Sequence, residues 1–203
     1  ATEPMTPGLQ TAEPSSASVT QSPVPVPVSI QLSSVVASDA TTVASGSTPN
    51  ELIVTLLDLN KVPVPGAKIS IVSSRGAMDT ILPETALPDS NGLAKFDVSS
   101  TKAGTSIFKA LVLSSFDSAH AVELLQQVSI QFTASQLVLT NISSPQTPGT
   151  NLTLTVNAQD ATGLTVTGYR GTVTLTSSDL AAVLPLAHTF TVTDAGTYAF
   201  SGI

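Results

Sequence analysis

A nine-residue pattern that occurs twice constrains the fold of this chain most strongly. Asp58-Leu-Asn-Lys-Val-Pro-Val-Pro-Gly66 and Asp160-Ala-Thr-Gly-Leu-Thr-Val-Thr-Gly168 share Asp at the first position, Val at the seventh and Gly at the ninth. The second copy begins 102 residues after the first. Each copy lies between two runs in which apolar and polar residues alternate, as they do in half-buried β-strands. A repeat of this length predicts two copies of one domain type.

Alternation continues along most of the chain and predicts an all-β protein. The candidate strands are 28–33, 51–57, 67–73, 93–99, 105–113 and 121–133 in the first unit, and 136–142, 151–158, 170–177, 187–192 and 197–203 in the second. Short strands at this spacing, without a long amphipathic helix, are typical of β-sandwiches. We therefore expect a flexible Pro/Ser/Thr-rich leader at 1–22, a first sandwich at 23–134 and a second at 135–203.

Residues 22–33 have the pattern of a strand that can join a sheet on one side only. The apolar positions, all of one parity, are Val24, Val26, Val28, Ile30 and Leu32. They form a single face of an extended chain, whereas proline occupies positions 23, 25 and 27 and removes the N–H donors from one edge. This segment is therefore an edge strand of its own sandwich or a donor strand for a neighbour.

The second unit is predicted to lack its last strands. Aligned on Asp89-Ser-Asn-Gly92 and Asp194-Ala-Gly196, the first unit continues for two further strands, whereas the second reaches Ile203. The side chains that two strands bury contribute on the order of 10 kcal/mol, against a total domain stability of about 5–15 kcal/mol. We expect that the polypeptide continues, or that a neighbouring copy supplies the strands by donor-strand complementation. Head-to-tail contacts of the second kind generate a filament.

Composition favours an extracellular protein and excludes several functions. Only 10% of residues are charged and the net charge is −7, so no basic patch exists for nucleic acid. The chain has no cysteine, which excludes disulfides and thiolate metal sites. No apolar run approaches the roughly 18 residues of a membrane-spanning helix, so we expect no membrane insertion. A start at Ala1 fits a mature chain whose leader was removed, and it fits an internal fragment of a longer polypeptide equally well.

Few side chains are candidates for chemistry. His120 and His188 are not near the Ser or Asp of a catalytic triad, and no phosphate loop, metal cluster or nucleophile elbow occurs. We therefore predict no enzyme and no catalytic, cofactor-binding or metal site. Asp58 and Asp89 each precede an Asn by two positions, and turn formation by the carboxylate is favoured over calcium binding.

Two tripeptides match the N-glycosylation sequence. They are Asn141-Ile-Ser143 and Asn151-Leu-Thr153. The phenylalanines that fall on predicted strands, and are expected in the cores, are Phe96, Phe108, Phe190 and Phe200.

The repeat and its neighbouring turns resemble bacterial immunoglobulin-like modules of the invasin and intimin type. The segments that carry the resemblance are the pattern from Asp58, Pro88-Asp-Ser-Asn-Gly-Leu-Ala-Lys-Phe-Asp-Val98, Ser100-Thr-Lys-Ala-Gly-Thr105 and, in the second unit, Val166-Thr-Gly-Tyr-Arg-Gly-Thr-Val173 and Asp194-Ala-Gly-Thr-Tyr-Ala-Phe-Ser-Gly202. The family usually has Gly-Asn where this chain has Lys61-Val62, so we expect a differently shaped turn there. The resemblance implies two tandem immunoglobulin-like β-sandwiches.

These observations predict an extracellular structural subunit of a self-assembling cell-surface filament, sheath or surface layer. Its partner would be another copy of the chain, bound head to tail. The alternative is the stalk or tip segment of a large adhesin that binds a host or surface ligand. An accessory region of a secreted polysaccharide-degrading enzyme and a virion decoration protein are further roles in which such modules occur.

Overall fold

The computed structural model of the protein describes residues 28–113, 121–142 and 145–203. The predicted leader, Val24, Val26 and His120 lie outside these ranges. Inside them, the regular structure consists of β-strands and one short 3-10 helix at Gly76–Met78, which confirms the all-β prediction. None of the helical structure in these ranges is long and apolar enough to cross a membrane.

The first unit is an immunoglobulin-like sandwich of two four-stranded sheets. Its strands are β1 Ser34–Ala37, β2 Thr41–Val43, β3 Asn50–Thr55, β4 Lys68–Ser73, β5 Asp79–Leu82, β6 Leu93–Ser100, β7 Gly104–Leu113 and β8 Val122–Thr133. One sheet has the order β1-β3-β6-β5 and the other β2-β8-β7-β4. Every pairing is antiparallel except that of β2 with β8.

The core of the first unit follows from the alternation in the sequence. Every second residue of β3 is buried from Asn50, and every second residue of β6 from Ala94. Phe96, Phe108 and Phe132 from three different strands are at most 1% exposed. Each such side chain contributes about 1.5–3 kcal/mol by leaving water. Core packing therefore stabilises a sandwich that has no disulfide.

The strand predicted at 28–33 is a turn in the structure, and the first strand begins at Ser34. The reason lies in Ser29, whose carbonyl oxygen accepts from the backbone N–H of Ser33 at 3.0 Å and whose hydroxyl oxygen accepts from that of Leu32 at 3.2 Å. Such local serine bonds compete with extended pairing. The turn packs Val28 and Ile30 against the core of their own unit.

The described residues of the second unit form five strands in two smaller sheets. They are β9 Gln136–Thr140, β10 Thr153–Gln159, β11 Thr172–Val173, β12 His188–Thr189 and β13 Thr197–Ser201. The larger sheet has the order β13-β10-β9, and β11 pairs only with β12 among the described residues. The strands predicted at 170–177 and 187–192 are therefore reduced to two residues each. The buried core consists of Val156, Val173, Phe190 and Phe200.

Candidate functional site at the junction of the two units

The repeated aspartate organises the same turn in both units. In the first unit, Asp58 Oδ1 accepts from the backbone N–H groups of Asn60 at 2.7 Å and Val62 at 2.9 Å. The N–H of Asp58 also donates to the carbonyl of Val62 at 2.9 Å, which closes the turn. The carboxylate oxygen thus accepts from the backbone N–H groups of its own turn, as in an Asx-type turn. Asp58 therefore forms the turn that the sequence pattern predicted.

The residue at the fourth position of the pattern needs a left-handed backbone. Gly163 has φ +83° and Lys61 has φ +64°. Lys61 thus adopts the left-handed backbone that Gly163 has in the second unit, and a difference from the Gly-Asn turn of the family stays a prediction. An L-residue with a side chain pays roughly 1–2 kcal/mol for this backbone geometry. The bonds made by Asp58 hold the turn against that cost.

Asp160 repeats the turn and adds a contact between the units. Its Oδ1 accepts from the N–H groups of Thr162 at 2.9 Å and Leu164 at 3.1 Å. Its Oδ2 accepts from the N–H of Ala103 in the first unit at 3.2 Å. Next to it, the N–H of Ala161 donates to the carbonyl of Ala44 at 3.2 Å. Two hydrogen bonds therefore join the turn of the second unit directly to the first.

The electrostatics keep Asp160 ionised in this position. The residue is 3% exposed. Burial raises the pKa of its carboxyl group, but hydrogen bonds from the Thr162 hydroxyl and from the backbone N–H groups of Ala103, Leu164 and Thr162 outweigh burial and lower it. A carboxylate that accepts several N–H bonds is stabilised in the charged form. The charge strengthens the bond that the carboxylate accepts across the junction from the Ala103 N–H.

A buried ion pair lies beneath the same junction. Arg75 and Asp79 flank the 3-10 helix, and the side chain of Asp79 is fully buried while that of Arg75 is 14% exposed. Burial raises the pKa of Asp79, but bonds from Arg75, Ser106 and Ser73 outweigh burial and lower it. Sequence reasoning missed this pair. The available signal was an Arg and an Asp four residues apart in a chain with few charges.

The second unit contains one histidine among its aromatic core residues. His188 Nε2 lies 3.0 Å from Asp194 Oδ2, and its ring stacks on Tyr198 with the ring planes 7° apart. The N–H of Thr191 donates to the same oxygen at 2.6 Å. The pKa of Asp194 is lowered mainly by the Thr191 bond and then by that of His188. These contacts organise a turn, as expected for a structural histidine.

The predicted assembly and modification residues are dispersed. Within the described part of the predicted donor strand, Val28 and Ile30 face their own core and Leu32 is 37% exposed. Asn151 is exposed, and so is Asn141, whose Nδ2 donates to the Thr155 hydroxyl at 2.9 Å. Their roles in assembly and glycosylation stay predictions. In the described residues, no cluster of three His, Cys, Asp or Glu side chains could hold a metal ion.

Comparison with known proteins connects this architecture to one family. The bacterial Ig-like domain (group 1) family profile matches residues 32–133, which is half of the chain. A comparison with curated proteins gives no match. The first unit therefore has both the fold and the sequence profile of these modules.

Several solved structures share the fold at low sequence identity. The Escherichia coli adhesin FdeC is similar with a TM-score of 0.56 and 18% identity, over 86% of this chain and 55% of that one. Invasin, described as a bacterial integrin-binding protein, gives 0.43 and 20%, over 83% and 33%. The D00-D0 domain of intimin gives 0.40 and 17%, over 49% and 45%. The chain thus spans between 33% and 55% of the lengths of these proteins.

Proposed function

Because the chain belongs to the bacterial Ig-like domain (group 1) family, we propose that it is a stalk segment of an extracellular, cell-surface protein of adhesin type, without enzymatic activity. Its role is mechanical, since two sandwiches in tandem set a distance and a direction. The low charge and the absence of cysteine support this role. The shared fold of the adhesin FdeC supports it as well.

The main support for the stalk proposal is the short, hydrogen-bonded connection between the two units. Only Ala134 and Ser135 separate β8 from β9, and the N–H of Ser135 donates to the carbonyl of Gln159 at 2.9 Å. A Gly/Ser-rich linker behaves as a random coil and lets domains swing. A two-residue connection whose backbone is hydrogen-bonded does not. The contacts of Asp160 with Ala103 add a second point of attachment.

The proposal can be tested in cells that produce the natural polypeptide. A flexible Gly-Ser linker inserted between Ala134 and Ser135 should leave surface exposure unchanged, measured by proteolysis of intact cells, and should lower adhesion under flow. The same insertion in the exposed segment 147–150 is the matched control. If the two insertions have equal effects on adhesion, or if the chain is protected on intact cells, the stalk proposal is wrong.

A second candidate, a self-associating filament or surface-layer subunit, is favoured by one face of the second unit. Leu139 lies opposite Val156 on neighbouring strands, and residues directly opposite share a face. Val156 is fully buried, whereas Leu139 is 47% exposed and Leu137 is 46% exposed. The corresponding pair of the first unit, Val35 and Val54, is covered, with exposures of 1% and 0%.

The difference has a structural cause. In the first unit β1 packs against β8, and no strand takes the place of β8 among the described residues of the second unit. In this candidate a second copy supplies the missing strand from residues 22–33. Since Val28 and Ile30 pack in their own unit, the donated residues centre on Val24 and Val26.

Sedimentation velocity on the full chain tests this candidate. The wild type should associate as its concentration rises, and Leu139→Thr should abolish the association. Val36→Thr, at an outward-facing position with 45% exposure on the first unit, is the control that should still associate. A wild-type chain that stays monomeric across the range rejects self-assembly and leaves the stalk proposal standing.

A further inference from the structure

The loop that receives the second unit is held from both sides. Its residues 101–103 connect β6 to β7. Arg75 Nη1 donates to the carbonyl oxygens of Lys102 and Ala103, each at 3.1 Å. The N–H of Ala103 points the other way and donates to Asp160 Oδ2 at 3.2 Å. Ala103 is thus bonded by its carbonyl to the first unit and by its N–H to the second.

Arg75 also contacts the strand that leads into the second unit. Its guanidinium carbon lies 5.1 Å from the centroid of the Phe132 ring, a distance typical of a cation–π contact. Phe132 is fully buried and lies two residues before Ala134, where the connection begins. One side chain therefore contacts both elements through which the first unit holds the second.

The guanidinium itself is fixed by the first unit. Nη2 bonds Asp79 Oδ1 at 2.5 Å and donates to Ser100 Oγ at 3.0 Å, and Nε donates to Ser106 Oγ at 2.6 Å. Ser106 in turn donates to Asp79 Oδ2 at 2.6 Å. Because the guanidinium is planar and its donors lie in a rigid fork, fixing two of its nitrogens also fixes the third, Nη1, which holds the loop.

We propose that Arg75 is a positioning residue for the junction. It sets the loop in the conformation that presents the Ala103 N–H to Asp160, although Arg75 itself makes no described contact with the second unit. The inference deepens the proposed stalk function and rests on it, because it names the device that keeps the two units in one orientation.

Spin labels can measure that orientation because the chain has no cysteine of its own. Lys68→Cys and Thr153→Cys place labels at exposed positions in the two units, and pulsed electron–electron double resonance gives the distribution of their separation. Arg75→Lys retains the positive charge beside Asp79 but loses the planar guanidinium and its rigidly placed N–H donors. We expect a rise of about tenfold, the effect of losing one or two ordinary hydrogen bonds, in the population of molecules whose second unit has separated from the loop at 101–103.

Two comparisons make the test specific. Asp160→Asn removes the acceptor for the Ala103 N–H. Because both substitutions act through this one bond, the double variant with Arg75→Lys should give a distance distribution no broader than that of Asp160→Asn alone. Lys95→Gln breaks an exposed ion pair with Glu51 in the same unit and should leave the distribution unchanged.

The outcomes separate the inference from the function on which it rests. If Asp160→Asn broadens the distribution and Arg75→Lys does not, the positioning role is wrong and the stalk proposal stands. If neither broadens it, the positioning role of Arg75 and the role of the Asp160–Ala103 bond in fixing the orientation are both wrong. A wild-type distribution that is already broad contradicts the stalk proposal itself. Circular dichroism checks that the first unit is folded. Should Arg75→Lys fail to fold, Arg75→Met combined with Asp79→Leu removes both charges together and is expected to broaden the distribution in the same way.

Discussion

The replacement of Asp160 by asparagine isolates the bond that crosses the junction. The asparagine keeps one amide oxygen, which can accept from the N–H groups of Thr162 and Leu164 as Oδ1 does now. The other oxygen becomes an NH2 group, which cannot accept from Ala103. The turn therefore stays intact, while the 3.2 Å bond to the first unit is lost.

The magnitude follows from the type of bond. A hydrogen bond to a charged group contributes about 1.5–3 kcal/mol, and Asp160 is buried, at 3% exposure. We expect Asp160→Asn to lower the free energy of unfolding of the second unit by about 2 kcal/mol. With a urea dependence of about 1–3 kcal/mol per molar, the unfolding midpoint falls by roughly 1 M.

Tyrosine fluorescence during urea unfolding is a suitable assay because both tyrosines of the chain, Tyr169 and Tyr198, lie in the second unit. Asp58→Asn is the matched control, since Asp58 makes the same turn without a described contact to another unit. We expect it to leave the tyrosine transition unchanged. If Asp160→Asn leaves the midpoint of this transition unchanged, the reasoning about the junction is refuted.

Three further predictions concern the turns of the two units. The pKa of Asp160 is lower in the folded state than the unfolded-state pKa near 3.8, so its ionised carboxylate stabilises the fold above that pH. This stability is lost as the pH falls through the lower folded-state pKa. Acid titration should therefore reduce the free energy of unfolding of wild type over this pH range, and the reduction should be smaller in Asp160→Asn. Lys61→Gly should stabilise the first unit by about 0.5–1 kcal/mol in urea unfolding, because the left-handed φ of +64° no longer carries a Cβ, and an unchanged or lower stability counts against the strain argument. Gly196→Ala should lower the free energy of unfolding by more than about 2 kcal/mol, and Gly163→Ala by about 1 kcal/mol. The difference arises because a Cβ at 196 would lie 2.4 Å from the Val166 carbonyl oxygen, whereas one at 163 meets nothing within 4 Å. Equal losses of stability on thermal unfolding would contradict this reasoning.

The regular part of the fold was predictable because the same alternation decides pairing and burial. The strands at Asn50–Thr55 and Leu93–Ser100 and the core positions of Phe96 and Phe108 follow from it. The strand at Ser34–Ala37 was placed too early, since alternation extends through 28–33 and does not show that Ser29 folds back on its own backbone.

The junction could be predicted only in part. The repeat identified Asp160 as a turn residue, but the bond to Ala103 joins residues 57 positions apart, and no local pattern encodes such a contact. Arg75 was missed for the same reason, because its partners Lys102 and Ser106 come from a distant loop and strand. Pairing in the second unit was overestimated, since alternation at 170–177 says nothing about whether a neighbouring strand is present.

The stalk role requires that the two units form one body through a bonded junction. Residual dipolar couplings of backbone amides, measured for β3 and β6 of the first unit and for β10 and β13 of the second, report whether they do. A single alignment tensor that fits both units, with equal magnitude and orientation, is the result we predict. Tensors of different magnitude would show that the units move independently, and would contradict the account of the chain as a stalk.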